Sequence, residues 1–397
     1  MRPLLRSARS ARAARALGRA LPLLLWGLAL GGAAPAAAWD DTMIEGVLDP
    51  AAQQSPKDQQ APVDCEEMAP GTVISTDPAS GRAEFCVGPP LPPTPEALRA
   101  QWRAMAPVAV MDEAAARIAH GDFAGAIDRL DVLRGEQLHP ELAARVRFER
   151  GRAAELSHRC AEAVPLYDEV LAMPAAASGL RANAQFRRSL CLSDLGEHRA
   201  AKRGLRAADR EPGVDALGHQ KIAVEGGVQA LRRGRERRGL PALQAALAAL
   251  PEGEAPWVRS RALFALVERE LEAAAQIQFR GDERAAAALV RRAEHIGAAE
   301  QHVIAIVKLR EPEYVLAALL AMGDAYDALQ VDLVAAPPPR HLTPEQVVLY
   351  REALVERGEV LRRKALKYWE LGLQEGLSVQ WVGPELDGLR ARLSAAG

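Results

Sequence analysis

The sequence predicts an all-α chain: short helical hairpins stacked into a right-handed solenoid, preceded by a small cysteine-bracketed β-hairpin. Three observations predict the solenoid. From residue 105 onward Ala, Leu, Arg and Glu dominate, and these are strong helix formers. One pattern recurs, as Gly121-Asp122-Phe123-Ala124-Gly125-Ala126-Ile127, then His158-Arg159-Cys160-Ala161-Glu162-Ala163-Val164, then Gly196-Glu197-His198-Arg199-Ala200-Ala201-Lys202. Its alanines, Ala126, Ala163 and Ala201, are 37 and 38 residues apart, a period that marks stacked supersecondary units. Finally, Val164, Tyr167, Val170 and Leu171 fall on one face of a helix, and a lone hairpin cannot bury such a face, so neighbours must stack.

The chain has 397 residues, more than one compact core usually fills, so two or three structural units are expected. The apolar fraction of 49% excludes a disordered chain, and 50 basic against 52 acidic side chains argues against a nucleic-acid binder. Residues 1–38 read as a secretory signal. Arg2, Arg6, Arg9, Arg12, Arg15 and Arg19 form a basic segment without acids, Leu21–Leu30 an apolar one, and Gly31–Ala38 ends in small residues suited to cleavage after Ala38. The competing reading is an uncleaved anchor, since Ala20–Trp39 carries no charge and is just long enough to span. Cleavage would leave 44 basic against 52 acidic side chains. No later segment is long and apolar enough to cross a bilayer, so a periplasmic or otherwise exported protein is expected, without a membrane span once the signal is removed.

Residues 39–104 form a proline-rich segment. Gly71–Thr76, a turn at Asp77–Gly81 and Arg82–Val87 read as a β-hairpin flanked by Cys65 and Cys86. With Cys160 and Cys191 there are four cysteines, and three connectivities are open. A Cys65–Cys86 bridge is favoured because it staples a segment too small for a core, and in the chain-entropy model it contributes roughly 3 kcal/mol. Cys160 at the start of one unit's second helix and Cys191 in the next unit's first helix lie on neighbouring elements. They can bridge, or remain two buried thiols. No Cys-x-x-Cys pair supports a metal site.

Residues 105–255 carry the repeats. The turn glycine supplies backbone freedom, the small alanine allows close helix approach, and Pro174 and Pro212 each stop a second helix. A fourth unit, at about 214–251, is degenerate. Residues 256–397 form a C-terminal helical domain. Val315, Leu319, Met322, Tyr326, Leu329 and Leu333 make one apolar stripe, ended by Pro337-Pro338-Pro339. Thr343-Pro344-Glu345-Gln346 is a strong helix start, opening a helix to about Glu375 with Val347, Tyr350, Leu354, Leu361, Ala365 and Tyr368 on its face. A last helix is expected near Pro384–Ser394.

No Gly-x-Ser-x-Gly elbow, Ser-x-x-Lys pair or phosphate-cradling loop appears, so no catalytic residue, cofactor or metal is assigned and a non-enzyme is expected. His295 and His302 lack metal-ligand spacing and read as solvated helix residues. Arg232, Arg233, Arg235, Arg237 and Arg238 lie within seven residues. They read either as a solvated turn or as a receiver for an acidic partner or phosphate groups.

The 121–127 turn resembles the inter-helix turn of tetratricopeptide repeats. Gly151 with Ala153 and Ala154 is similar to that family's small first-helix positions, and Ala321–Tyr326 to its L-G-x-A-Y signature. Gly281-Asp282 with Ala286 looks like another turn. His158 replaces the glycine in the second unit, and the first helices lack the family's tryptophan. The order of motifs over residues 311–371 resembles exported tetratricopeptide proteins of gliding deltaproteobacteria, the gliding-motility-associated kind. These resemblances imply a non-enzymatic adaptor of the bacterial cell envelope that binds protein partners along an inner groove lined by first helices. By the repeat register that groove would present Arg145, Phe148, Arg152, Phe186 and Leu190, although the two phenylalanines fit a core equally well. Arg232, Arg233 and Arg235 are the further candidates. The alternative is an envelope-polymer (glycan) binder or enzyme accessory. The sequence gives no partner identity and no oligomeric state.

Overall fold

A computed structural model describes residues 94–134, 136–280 and 284–396, together with the backbone of two short stretches, Val73–Thr76 and Ala83–Phe85. The expected signal peptide and cleavage site, Cys65, Cys86 and the turn at 77–81 lie outside the described residues.

The described chain is all-α, with fourteen helices. Helix α1 (Pro95–Arg103) occupies the end of the proline-rich segment 39–104, for which no helix is assigned from the sequence. Its signal is local: the Thr94 hydroxyl accepts from the Ala97 N–H at 3.2 Å, Pro95 opens the first turn and Glu96 faces the helix N-terminus. Six helix pairs follow: α2 (Pro107–Ala119) with α3 (Phe123–Asp131), α4 (Pro140–Leu156) with α5 (Cys160–Ala172), and α6 (Ser178–Asp194) with α7 (His198–Ala208). Then come α8 (Ala216–Arg232) with α9 (Glu236–Ala249), α10 (Pro256–Ala275) with α11 (Ala285–Leu309), and α12 (Pro312–Val334) with α13 (Pro344–Ser378). Helix α14 (Pro384–Ala396) closes the chain.

The recurring pattern has a backbone cause. The residue that breaks the first helix of a pair must enter the left-handed region, and Gly121, Gly196 and Gly234 do so with φ of 75°, 78° and 67°. His158 takes the same place with φ 60°, at a steric cost of about 1–2 kcal/mol that glycine avoids. The alanines Ala126, Ala163 and Ala201 are wholly buried where second helices meet first helices. The fourth unit, degenerate in sequence, is a complete pair, with Gly227 of α8 against the Leu243 backbone of α9 replacing the alanine contact. The start at Thr343 is a full capping box.

Each even-numbered helix from α2 to α12 packs on its own partner and on the next even-numbered helix, so α2, α4, α6, α8, α10, α12 and α14 form one row. The row curves until its ends meet. The Val382 N–H donates to the His120 carbonyl at 2.9 Å, and Trp381 packs edge-on against Phe123 with ring centroids 6.0 Å apart. The largest apolar cluster therefore joins Val110, Ile118 and Phe123 to Trp369, Trp381 and Leu389, on both sides of the division expected at 255/256. Cys160 and Cys191 lie at disulfide distance, with Cα atoms 4.9 Å apart, and tie α5 to α6. None of the described helices is long and apolar enough to cross a membrane.

Candidate functional site

Where the row turns back on itself it encloses a cavity of about 300 Å³. Glu155 and Leu156 at the end of α4, Asp194 and Leu195 at the end of α6 and Arg232 at the end of α8 form one side. Trp257, Arg261 and Phe264 of α10, Glu313 and Tyr314 of α12, and Glu385 of α14 form the other. The site thus exists only when both halves of the chain are folded together.

Glu155, Arg261 and Glu385 are buried, so each needs a partner. Glu155 is 8% exposed; it accepts from the Tyr167 hydroxyl at 2.6 Å and from Arg187 at 2.9 Å. Arg261 binds Glu225 of α8 at 2.9 Å and reaches Asp194 at 3.5 Å. The attraction of these carboxylates outweighs the cost of burial, so the Arg187 and Arg261 guanidiniums stay charged, with pKa values raised. Burial pushes the Tyr167 and Tyr314 hydroxyls up. Glu385 accepts from Trp381 Nε1 at 3.0 Å and lies 3.5 Å from His158 Nε2, whose pKa it raises chiefly by that hydrogen bond.

Glu313 differs. It accepts from Trp257 Nε1 at 3.0 Å, and among the described residues it forms no ion pair. The residue as a whole is half-buried. Burial first, then the nearby Glu385 and Glu155 charges, push its pKa up to about 7, against the Trp257 hydrogen bond and Arg261. Trp257 carries the Arg187 guanidinium 5.0 Å from its ring centroid and meets Tyr314 edge-on at 5.8 Å. Tyr314 packs in turn on Phe264 at 6.0 Å.

The residues expected to line a groove divide. Leu190 is wholly buried and Phe148 is 9% exposed, packed on Tyr167, so both serve the core and are not free to meet a partner. Phe186 and Arg152 are half-buried, and Arg145 is exposed. Arg152 acts on Glu311, whose carboxyl pKa burial pushes up against the lowering effect of the Arg152 charge. The basic run is also split. Arg232 is engaged, 2.6 Å from Asp194 and 3.1 Å from Glu268, tying α8 to α6 and α10. Arg233 donates to the Gln229 carbonyl at 2.8 Å, while Arg235, Arg237 and Arg238 are exposed around the start of α9. A cleft of about 590 Å³ between the α8–α9 turn and α10 includes Arg232, Glu236 and Arg269, which are already paired. His295 lies 2.7 Å from Glu270, and no group of three or more metal-ligating side chains gathers among the described residues.

The expected residues omit Trp257, Glu313, Glu385, Arg187 and Glu155. One signal for them was present: Glu155, Arg187, Glu225 and Arg261 are charges set among the apolar positions of first helices, as in Val224-Glu225-Gly226-Gly227-Val228. No protein-family model matches the chain, and no curated protein matches it significantly.

Proposed function

We propose that the protein is an exported, non-enzymatic scaffold of the tetratricopeptide-like helical-repeat kind, which holds a protein partner in the bacterial cell envelope. One observation carries the reading: first helices of successive pairs form a continuous row, and the row's inner side supplies the cavity. Stacks of this type present inner surfaces suited to segments of other proteins. Export is supported by the basic, apolar and small-residue order of residues 1–38 and by the disulfide-distance pair Cys160 and Cys191, since such bonds persist in oxidising compartments. A role in motility or other envelope machinery rests on the resemblance of residues 311–371 alone.

The test is capture from envelope extracts with the tagged full chain, crosslinked before lysis. A stoichiometric protein whose crosslinks map to the row α4–α12 supports the reading. Recovery of polymer alone, with crosslinks at Arg235–Arg238, supports the glycan-binding alternative and refutes this one.

A further inference from the structure

We propose that the cavity receives one organic cation, the guanidinium or ammonium end of an arginine or lysine side chain, with Glu313 as its counter-ion. The inference rests on the scaffold reading in taking that cation from a partner protein.

The argument is one of unmatched charge. Of the carboxylates lining the cavity, Asp194 and Glu268 are paired with Arg232, and Glu155 with Arg187. Glu385 is met by His158 and Trp381. Among the described residues Glu313 has Trp257 alone, a neutral donor to one of its two oxygens. The groups facing it are Glu155 from α4, His158 from the α4–α5 turn, Arg187 from α6, Arg261 from α10, the adjoining Tyr314 and Glu385 from α14. The two arginines among them are already engaged by Glu155 and Glu225, so neither is left as a counter-ion for Glu313.

Size and wall chemistry select the ligand. A volume of about 300 Å³ is at the lower end for ligand pockets, which fits a single side chain and not an extended peptide. Trp257, Phe264 and Tyr314 line the same space and suit the methylene stem and flat head of such a group. Trp257 already holds a guanidinium, that of Arg187, over its ring. An anion would face the surplus carboxylates. The alternative use of Glu313 is to complement the N-terminus of α12, where it is the second residue. A sufficient helix-end interaction would lower its pKa; burial instead drives it to about 7.

Ethylguanidinium chloride and two nine-residue Gly/Ser peptides, with a central arginine or its uncharged isostere citrulline, are titrated calorimetrically into the full chain. Ethylguanidinium and the arginine peptide should bind, and citrulline should weaken the peptide at least tenfold. Because the cation requires ionised Glu313, affinity should rise about tenfold from pH 6 to pH 8, with proton release. Glu313→Gln should lose both the affinity and the pH slope, while Arg235→Glu, outside the cavity, changes neither. Equal binding of the two peptides, no binding by any probe at millimolar concentration, or an unchanged pH slope in E313Q would overturn the inference. Binding of ethylguanidinium with failure of both peptides would retain the cation site and overturn its protein source. If E313Q does not fold, the citrulline comparison and the wild-type pH slope decide.

Discussion

Replacing Glu313 by Gln should stabilise the protein at neutral and alkaline pH. With a folded pKa of about 7 against an ordinary value of 4.5, the folded chain keeps a proton that the unfolded chain has lost. Stability therefore falls as pH rises from about 4.5 to 7, and above pH 7 the full deficit is present. The size is at most about 3 kcal/mol, from 1.36 kcal/mol per pKa unit. Glutamine keeps an oxygen for the Trp257 N–H and removes the buried charge. His158 acts in the same direction: its pKa is raised, so its stabilising contact with Glu385 is complete below about pH 6.5 and is lost as pH rises through the folded value. The wild-type decline contains both effects, and E313Q should retain only that of His158. Urea unfolding followed by circular dichroism at pH 5, 6, 7 and 8 gives the comparison. The curves should differ by less than about 1 kcal/mol at pH 5 and by up to about 3 kcal/mol at pH 8. Parallel curves, or a variant less stable at every pH, would refute the account of Glu313 as a buried carboxyl without a cation.

Other perturbations separate the roles of neighbouring residues. Arg232→Glu would set three carboxylates together with Asp194 and Glu268, and should destabilise by about 1–2 kcal/mol, whereas exposed Arg235→Glu should stay within about 0.5 kcal/mol in the same urea assay. Gly227→Ala would bring a Cβ to 2.8 Å from the Leu243 backbone and cost about 1–3 kcal/mol. Adjacent Gly226→Ala meets nothing within 4 Å and should stabilise by up to about 1 kcal/mol, so equal melting temperatures for the two variants would contradict the packing. Reducing the Cys160–Cys191 pair, 31 residues apart, should cost about 3–4 kcal/mol in the chain-entropy model, measured by urea unfolding with and without dithiothreitol. Finding both thiols free by non-reducing peptide mapping of exported protein would remove the bond.

What was legible in the sequence was local. The stripe Val315, Leu319, Met322, Tyr326, Leu329 and Leu333 is buried throughout α12, and the Thr343–Gln346 signal opens α13 at Pro344, because periodicity and capping act within a turn or two of helix. The repeat alanines are buried for the same reason. Two further features are local but less legible. Thr94-Pro95-Glu96 carries the same start chemistry as Thr343-Pro344-Glu345, but it directly follows a run of prolines whose composition is that of an extended segment. Gly227 was hidden because close packing moved from an alanine on the second helix of the pair to a glycine on the first.

The site was hidden for a different reason. Its side chains come from six helices, with Glu155 and Glu385 230 positions apart in the sequence, and no spacing rule connects them. What brings them together is accumulated curvature. Each pair adds a small rotation to the row, and only after six pairs does Trp381 reach Phe123. Motifs specify the turns within pairs but not the rotation between them, so they lead to an open groove presenting Phe148 and Leu190, both of which the core takes. The buried charges are the trace of closure that the sequence does hold. Glu155, Arg187, Glu225 and Arg261 would be expensive on the apolar flank of an isolated hairpin, and they become tolerable only when the next helix supplies the opposite charge. By the same logic Glu313, which meets no cation among the described residues, is the informative carboxyl, and the proposed ligand would supply the opposite charge.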